Sequence, residues 1–139
     1  MTESMDGWPL GRLLSTASRL VENAWHEALA EHDLTHAGLI VLHFLGAGPL
    51  SQSALATRAR VENQTMSRTL ERLERSGFVR RDRDAADGRR VLVSITDVGT
   101  SVFEATQAIE RELFPDVERP AELRRQLEAI IRATGRWGD

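Results

Sequence analysis

Gln64, Ser67, Arg68 and Arg72 gather on the polar side of a helix that the spacing of apolar residues predicts over about residues 63–76. At 100° per residue, Met66, Leu70 and Leu73 fall within about 60° of one another and form a core face. Gln64, Arg68, Glu71 and Arg75 lie roughly opposite, flanked by Thr65, Ser67 and Arg72. Glutamine, threonine, serine and arginine supply the donors and acceptors that base edges in a DNA major groove require. An arginine pairs bidentately with guanine and a glutamine with adenine, each discriminating by ~1–3 kcal/mol. The N-terminal residues of such a helix reach the bases, so Gln64, Thr65 and Arg68 are the leading candidates, with Asn63 beside them. A plain solvated face is the alternative, and Glu71 and Arg75, at i,i+4 spacing, can simply pair with each other.

Two further groups suit the same chemistry. Arg83, Arg89 and Arg90 lie in or beside a polar stretch, Asp82 to Arg90, between two apolar runs. An arginine at a hairpin tip can enter a minor groove, where narrow A·T tracts concentrate negative potential. Asp87 either holds the Arg89 guanidinium or serves the turn alone. Ser51 and Gln52 open a short helix, and backbone N–H groups with small polar side chains at a helix start suit a phosphate. Ser51 is a cap, a phosphate contact, or both.

The elements that must position these groups are legible in turn. Leu10, Leu13, Leu14, Ala17, Leu20, Val21, Ala24, Trp25, Ala28 and Leu29 recur at steps of three and four, predicting a long helix, with Pro9 suited to its first turn. Three short helices then start alike, each with an apolar residue before the cap and another five positions on: Leu34 and Leu39, Leu50 and Leu55, Val61 and Met66. Thr35 and Ser51 are good caps, whereas Glu62 is a poor one and leaves that boundary free to shift by one residue. Only Thr57 to Val61 connects the last two helices, which reads as helix-turn-helix. Gly77 suits a left-handed position after the third. Phe78 to Arg81 and Val91 to Ile95 read as strands around an Asp87-Gly88 turn. Thr96 can cap a fifth helix, with Val98, Val102, Phe103, Ile109 and Leu113 facing inward or toward a partner; Phe114-Pro115 ends it. Pro120 starts a last helix carrying Leu123, Leu127, Ile130 and Ile131. Helix, turn, helix, hairpin is the order of a winged helix.

Charge follows the same division. The 139 residues carry a net charge of −3, yet residues 51–92 hold ten of the 18 basic residues, all arginine, and six of the 21 acids. A basic segment between acidic flanks is the distribution a nucleic-acid reader shows; a solvated charged face is the alternative. The chain lacks cysteine, which removes disulfides, thiolate metal sites and thiol oxidation as triggers. No apolar run approaches the roughly 18 residues of a membrane span, and the first thirty residues lack a signal peptide's apolar block, so a cytoplasmic location is expected. A nucleophile–base arrangement, a phosphate-binding glycine loop and a metal motif are all missing, and an enzyme is not expected. No cofactor is implied. His26, His32, His36 and His43 cluster in sequence, with His36 and His43 on one helix face. A zinc site with Glu27 or Asp33 is conceivable, but without a tight ligand motif solvated histidines are the expectation. His43 and Trp25 are candidates for an effector pocket by position.

These segments together resemble the MarR/SlyA type of winged-helix regulators, over roughly residues 34–103. The carrying segments are Leu50-Ser51-Gln52-Ser53-Ala54-Leu55-Ala56, Thr65-Met66-Ser67-Arg68-Thr69-Leu70-Glu71-Arg72-Leu73-Glu74 and Gly77-Phe78-Val79-Arg80-Arg81. The most specific is Asp87-Gly88-Arg89-Arg90-Val91-Leu92-Val93-Ser94-Ile95-Thr96 followed by Gly99, which looks like the family's wing pattern of Asp-x-Arg, a strand, then Thr-x-x-Gly. Glu62 departs from the family's more usual serine or aspartate, and a carboxylate repels phosphate.

The resemblance implies a homodimer joined through the first and last two helices, Arg89 in the minor groove and Asp87 as its orienting partner. It also implies repression of nearby genes, relieved by a small molecule bound between the dimerisation and DNA-binding parts. The expectation is therefore a single MarR-type domain over 1–139, mainly α with a small β-hairpin wing. A winged-helix part spans about 35–96, with the reading helix at 63–76 and the wing at 82–90, and dimerisation helices span about 8–31 and 97–135. The apolar stripes of the first and last helices support a dimer independently, because exposed they form a patch larger than monomers usually tolerate. A two-fold dimer predicts a pseudo-palindromic operator on double-stranded DNA. The competing reading is a winged-helix protein–protein adaptor without DNA binding, which has no need of arginines at both groove-facing sites.

Overall fold

A computed structural model describes residues 4–134. Among them are six helices and a three-stranded sheet. In chain order these are α1 (Leu10–Ala30), α2 (His36–Leu45), β1 (Leu50–Ser51), α3 (Gln52–Ala59), α4 (Asn63–Arg75), β2 (Val79–Arg83), β3 (Val91–Ile95), α5 (Asp97–Leu113) and α6 (Pro120–Thr134).

The caps follow the local sequence. The Thr35 hydroxyl accepts from the Gly38 N–H, Ser51 from Ala54 and Thr96 from Gly99, each worth about 1 kcal/mol relative to alanine. Glu62 holds the N-cap position of α4 without a side-chain hydrogen bond, in keeping with its poor capping chemistry. Pro9 sits at the N-cap of α1, one residue before the first turn where it was expected. At the end of α4, Gly77 takes φ +79° after the C-cap Ser76, a conformation that carries no Cβ penalty in glycine.

One apolar core joins α2, α3, α4 and the sheet. Leu42, Leu55, Leu70 and Val93 are wholly buried there, with Leu29 from the end of α1. Removing a side chain such as Leu70 down to alanine costs about 2–5 kcal/mol. The core thins toward the outer helices. Leu29 is the one buried residue of α1, and α6 has none.

The structure departs from the expected elements in three ways, beginning with the sheet. Its order is β1-β3-β2, all antiparallel, because Leu50 and Ser51 pair with Val93 and Leu92. The extended backbone that Ser51 needs as an N-cap (φ −69°, ψ 152°) is also a strand conformation, so one residue serves both roles. Second, β2 continues through Asp82 and Arg83, which pair with Leu92 and Val91. The wing loop is therefore 84–90 rather than 82–90, since polar side chains on an edge strand face water and do not interrupt its ladder. Third, α3 runs on through Ala59, shortening the connection to α4 to residues 60–62. Arg60 supplies the left-handed C-cap at φ 57° that glycine usually provides.

The start of α5 is locked to the end of α4. The Thr96 hydroxyl donates to the Gly77 carbonyl at 2.5 Å and its backbone N–H donates to the Phe78 carbonyl at 3.0 Å. A Cβ on Gly99 would stand 2.1 Å from that same Phe78 oxygen. Threonine and glycine three apart are thus required by a close helix–strand crossing. Val98, expected inward or toward a partner, is 59% exposed in the single chain.

Candidate nucleic-acid interface

The reading helix is the most strongly two-faced element of the chain. Met66, Leu70 and Leu73 are buried, whereas Asn63, Gln64, Thr65, Arg68 and Arg72 are exposed and Ser67 is partly so. The Thr69 hydroxyl donates to the Thr65 carbonyl, so the Thr65 side chain keeps its own donor and acceptor. Arg68, Arg72 and Arg75 make no ion pair among the described residues, and Glu71 and Arg75 do not pair with each other.

Glu74 instead reaches across to the sheet. Its carboxylate accepts from the Arg81 guanidinium at 3.2 Å and from the Arg81 backbone N–H at 3.4 Å. On the same end of α4, the Ser76 hydroxyl donates to Asp33 at 2.6 Å. Asp33, in the turn between α1 and α2, holds a left-handed φ of 59°. The C-terminus of α4 is therefore tied to the wing strand on one side and to the α1–α2 turn on the other. Neither tie was read from the sequence, because the partners lie 7 and 43 residues apart outside any fixed motif.

In and beside the wing loop each arginine has a different task. Arg83 donates to the Gly88 carbonyl at 2.7 Å, bracing the loop across its base. Arg90 lies 3.9 Å from Asp84, whose other oxygen accepts from the Ala86 N–H at 2.9 Å. The Asp84 and Arg90 backbones close the loop at 2.9 Å. Asp87 accepts from the Arg89 N–H at 3.1 Å, while the Arg89 guanidinium lies 4.0 Å away. The turn hydrogen bond of Asp87 is thus formed, whereas its approach to the guanidinium is too long for a hydrogen bond. The Arg89 side chain is 97% exposed at the tip. The aspartate that bonds a backbone N–H two residues on is a general turn signal, which Asp84 also carried unnoticed.

Ser51 is buried and its hydroxyl accepts from the Ala54 N–H at 3.1 Å, so its capping role is met. Gln52, next to it, is half-exposed. Trp25 and His43 line one cavity of about 330 Å³ between α1, α2 and α5, with Phe44, Phe103 and Glu110. His36 and His43 are both exposed. Among the described residues no three His, Asp or Glu side chains are grouped to hold a metal ion, and no helix is long and apolar enough to cross a membrane.

Comparison with known proteins agrees with this geometry. A family model described as the MarR family matches residues 32–90. The HTH-type transcriptional repressor Mb2911 of Mycobacterium bovis is 31% identical over 107 residues, covering 76% of this chain and 77% of that protein. The HTH-type transcriptional regulator SarZ of Staphylococcus saprophyticus is 27% identical over 124 residues, covering 86% and 85%. A crystal structure of MarR superimposes with a TM-score of 0.75 at 29% identity, covering 98% of this chain and all of that one. Proteins of this family regulate transcription and are not enzymes. The reading helix, the braced wing and these relatives together establish that the chain belongs to the MarR family of DNA-binding transcriptional regulators.

Proposed function

We propose that the chain is a homodimeric repressor of nearby genes that a small molecule releases from its operator. The observation that carries this reading is the pairing of two exposed polar sites on one frame: Gln64, Thr65 and Arg68 on α4, and Arg89 at the wing tip. In this reading α4 enters the major groove with Asn63, Ser67 and Arg72 flanking the base contacts. The loop puts Arg89 into the minor groove with Arg90 near the backbone, and Asp87 fixes the turn. Ser51 and Gln52 bring the N-terminus of α3 to a phosphate, chiefly through backbone N–H groups, because the Ser51 side chain is buried.

A second copy covers the outer helices. Leu10 is 83% exposed and Ile131 53%, and α6 carries an apolar face with no buried residue. A groove of about 740 Å³ opens between α5 and α6, with Phe114, Leu123 and Leu127 in its wall. Monomers rarely leave so much apolar surface in water. The chain then divides functionally into a reading part at about 35–96 and dimerisation helices at about 8–31 and 97–135, within a single domain working in the cytoplasm. The effector occupies the cavity of Trp25 and His43, where the two parts meet.

Hydroxyl-radical footprinting on the DNA upstream of the protein's own gene tests the geometry. Two protected patches about 34–36 Å apart are expected from a two-fold dimer. One isolated patch removes the dimer from the account. Uniform protection at all positions favours non-specific association.

A further inference from the structure

The cavity between α1, α2 and α5 carries a carboxylate and no arginine in its wall. Trp25, Phe44 and Phe103 supply aromatic faces, and the His43 ring lies tilted against Phe44 and Phe103 at centroid distances of 6.0 and 6.1 Å. The Thr106 hydroxyl already donates to the Phe103 carbonyl at 2.6 Å. Gln107, Glu110 and His43, with the Thr106 oxygen as an acceptor only, are then the polar groups that can meet a ligand. Glu110 is exposed and has no ion-pair partner among the described residues.

We propose that this cavity takes a protonated aromatic amine, its ring against Trp25 and Phe103 and its ammonium at Glu110; the assignment rests on the effector reading above. Aromatic faces attract a cation through their quadrupole, and the carboxylate adds to that field. An aromatic acid meets the opposite arrangement, a like charge with no arginine to offset it. A volume of about 330 Å³ is at the small end for ligand sites and suits one or two fused rings. Gln107 and Glu110 also border the groove between α5 and α6. A cation seated at Glu110 therefore acts on the same turn of α5 that faces the dimerisation helix, which gives binding a route to the spacing of the two reading heads.

The test is calorimetric titration of the full chain, without DNA, with 2-naphthylmethylamine, 2-naphthylmethanol and 2-naphthoate at neutral pH. The amine is expected to bind about tenfold more tightly than the alcohol, the combined factor of a cation–aromatic contact and a partly exposed ammonium–carboxylate pair, and the naphthoate most weakly. In Glu110→Gln the preference falls to about threefold, the cation–aromatic part alone, while Glu110→Asp retains the larger preference for the amine. Equal or tighter binding of naphthoate, an unchanged amine preference in Glu110→Gln, or binding by none of the three overturns the assignment. The same compounds are then added to the DNA complex. An amine that binds with the expected preference but leaves DNA bound keeps this assignment and removes the ligand-release reading. Release by naphthoate alone does the reverse.

Discussion

Glu74, in the last turn of α4, accepts two hydrogen bonds from Arg81 on β2, one from the guanidinium and one from the backbone N–H. The contact joins the element that carries Gln64 and Arg68 to the strand that leads into the wing. With Phe78 and Val79 buried under α4 in the same core, the helix and the hairpin form one body. The distance from the exposed face of α4 to the base of the wing is then set by the protein's core.

Glu74→Ala therefore separates stability from reading. The side chains are 42% and 20% exposed, and partly exposed pairs contribute about 0.2–1 kcal/mol. Urea denaturation should show a loss within that range. Operator affinity should fall by more than the stability loss converts to, because the wing is freed. Unchanged operator affinity, or a fall no larger than the stability loss converts to, contradicts the coupling.

Gly99→Ala should be among the most damaging single-methyl additions in the chain. The new Cβ would lie 2.1 Å from the Phe78 carbonyl oxygen and 2.9 Å from Ile95, and a backbone atom cannot rotate away. Overpacking of this kind costs about 1–3 kcal/mol, occasionally more, and the upper end is expected. A loss below about 0.5 kcal/mol in denaturant unfolding is incompatible with the crossing described here.

Arg89→Ala removes charge without removing structure. Its side chain is 97% exposed, so the melting temperature should stay unchanged. Operator affinity should weaken, and the slope of log affinity against log salt should flatten by roughly one phosphate-equivalent if the residue acts chiefly by charge. Unchanged affinity excludes Arg89 as the wing contact. Arg83→Ala behaves differently, since Arg83 braces the Gly88 carbonyl: its effect on affinity should come with a loosened loop.

Ile131→Glu tests the outer helices. Ile131 is 53% exposed in the single chain, where the change is nearly neutral to folding, within about 0.5 kcal/mol. At a dimer interface the same change buries a charge. Sedimentation should therefore show a shift toward monomer, with far-ultraviolet circular dichroism retained. An unaltered dimer places the interface elsewhere.

Much of this architecture was legible from local chemistry. Thr35, Ser51 and Thr96 each announced a helix start because capping is a contact across three residues. The two-faced pattern of Met66, Leu70 and Leu73 fixed which side of α4 is exposed. Contacts between distant segments left no such trace. Asp33 with Ser76 and Glu74 with Arg81 join groups that are ordinary surface residues in their own surroundings. Leu50 and Ser51 were read as staple and cap, and their pairing with β3 was invisible because two residues carry no alternation. Arg60 carries no sequence signal of a helix end, because its left-handed backbone is one that glycine adopts more readily. Position along the chain alone suggests Trp25 and His43 as neighbours, and their shared cavity depends on how α1, α2 and α5 pack.

The central claim is specific DNA recognition by this frame, and fluorescence anisotropy tests it most directly. The labelled duplex is the DNA upstream of the protein's own gene, with a scrambled duplex of equal length alongside, at two salt concentrations. Binding that exceeds the scrambled control by roughly a thousandfold or more is the predicted result. Equal affinity for both duplexes at both salts, from a folded and ligand-free protein, contradicts it.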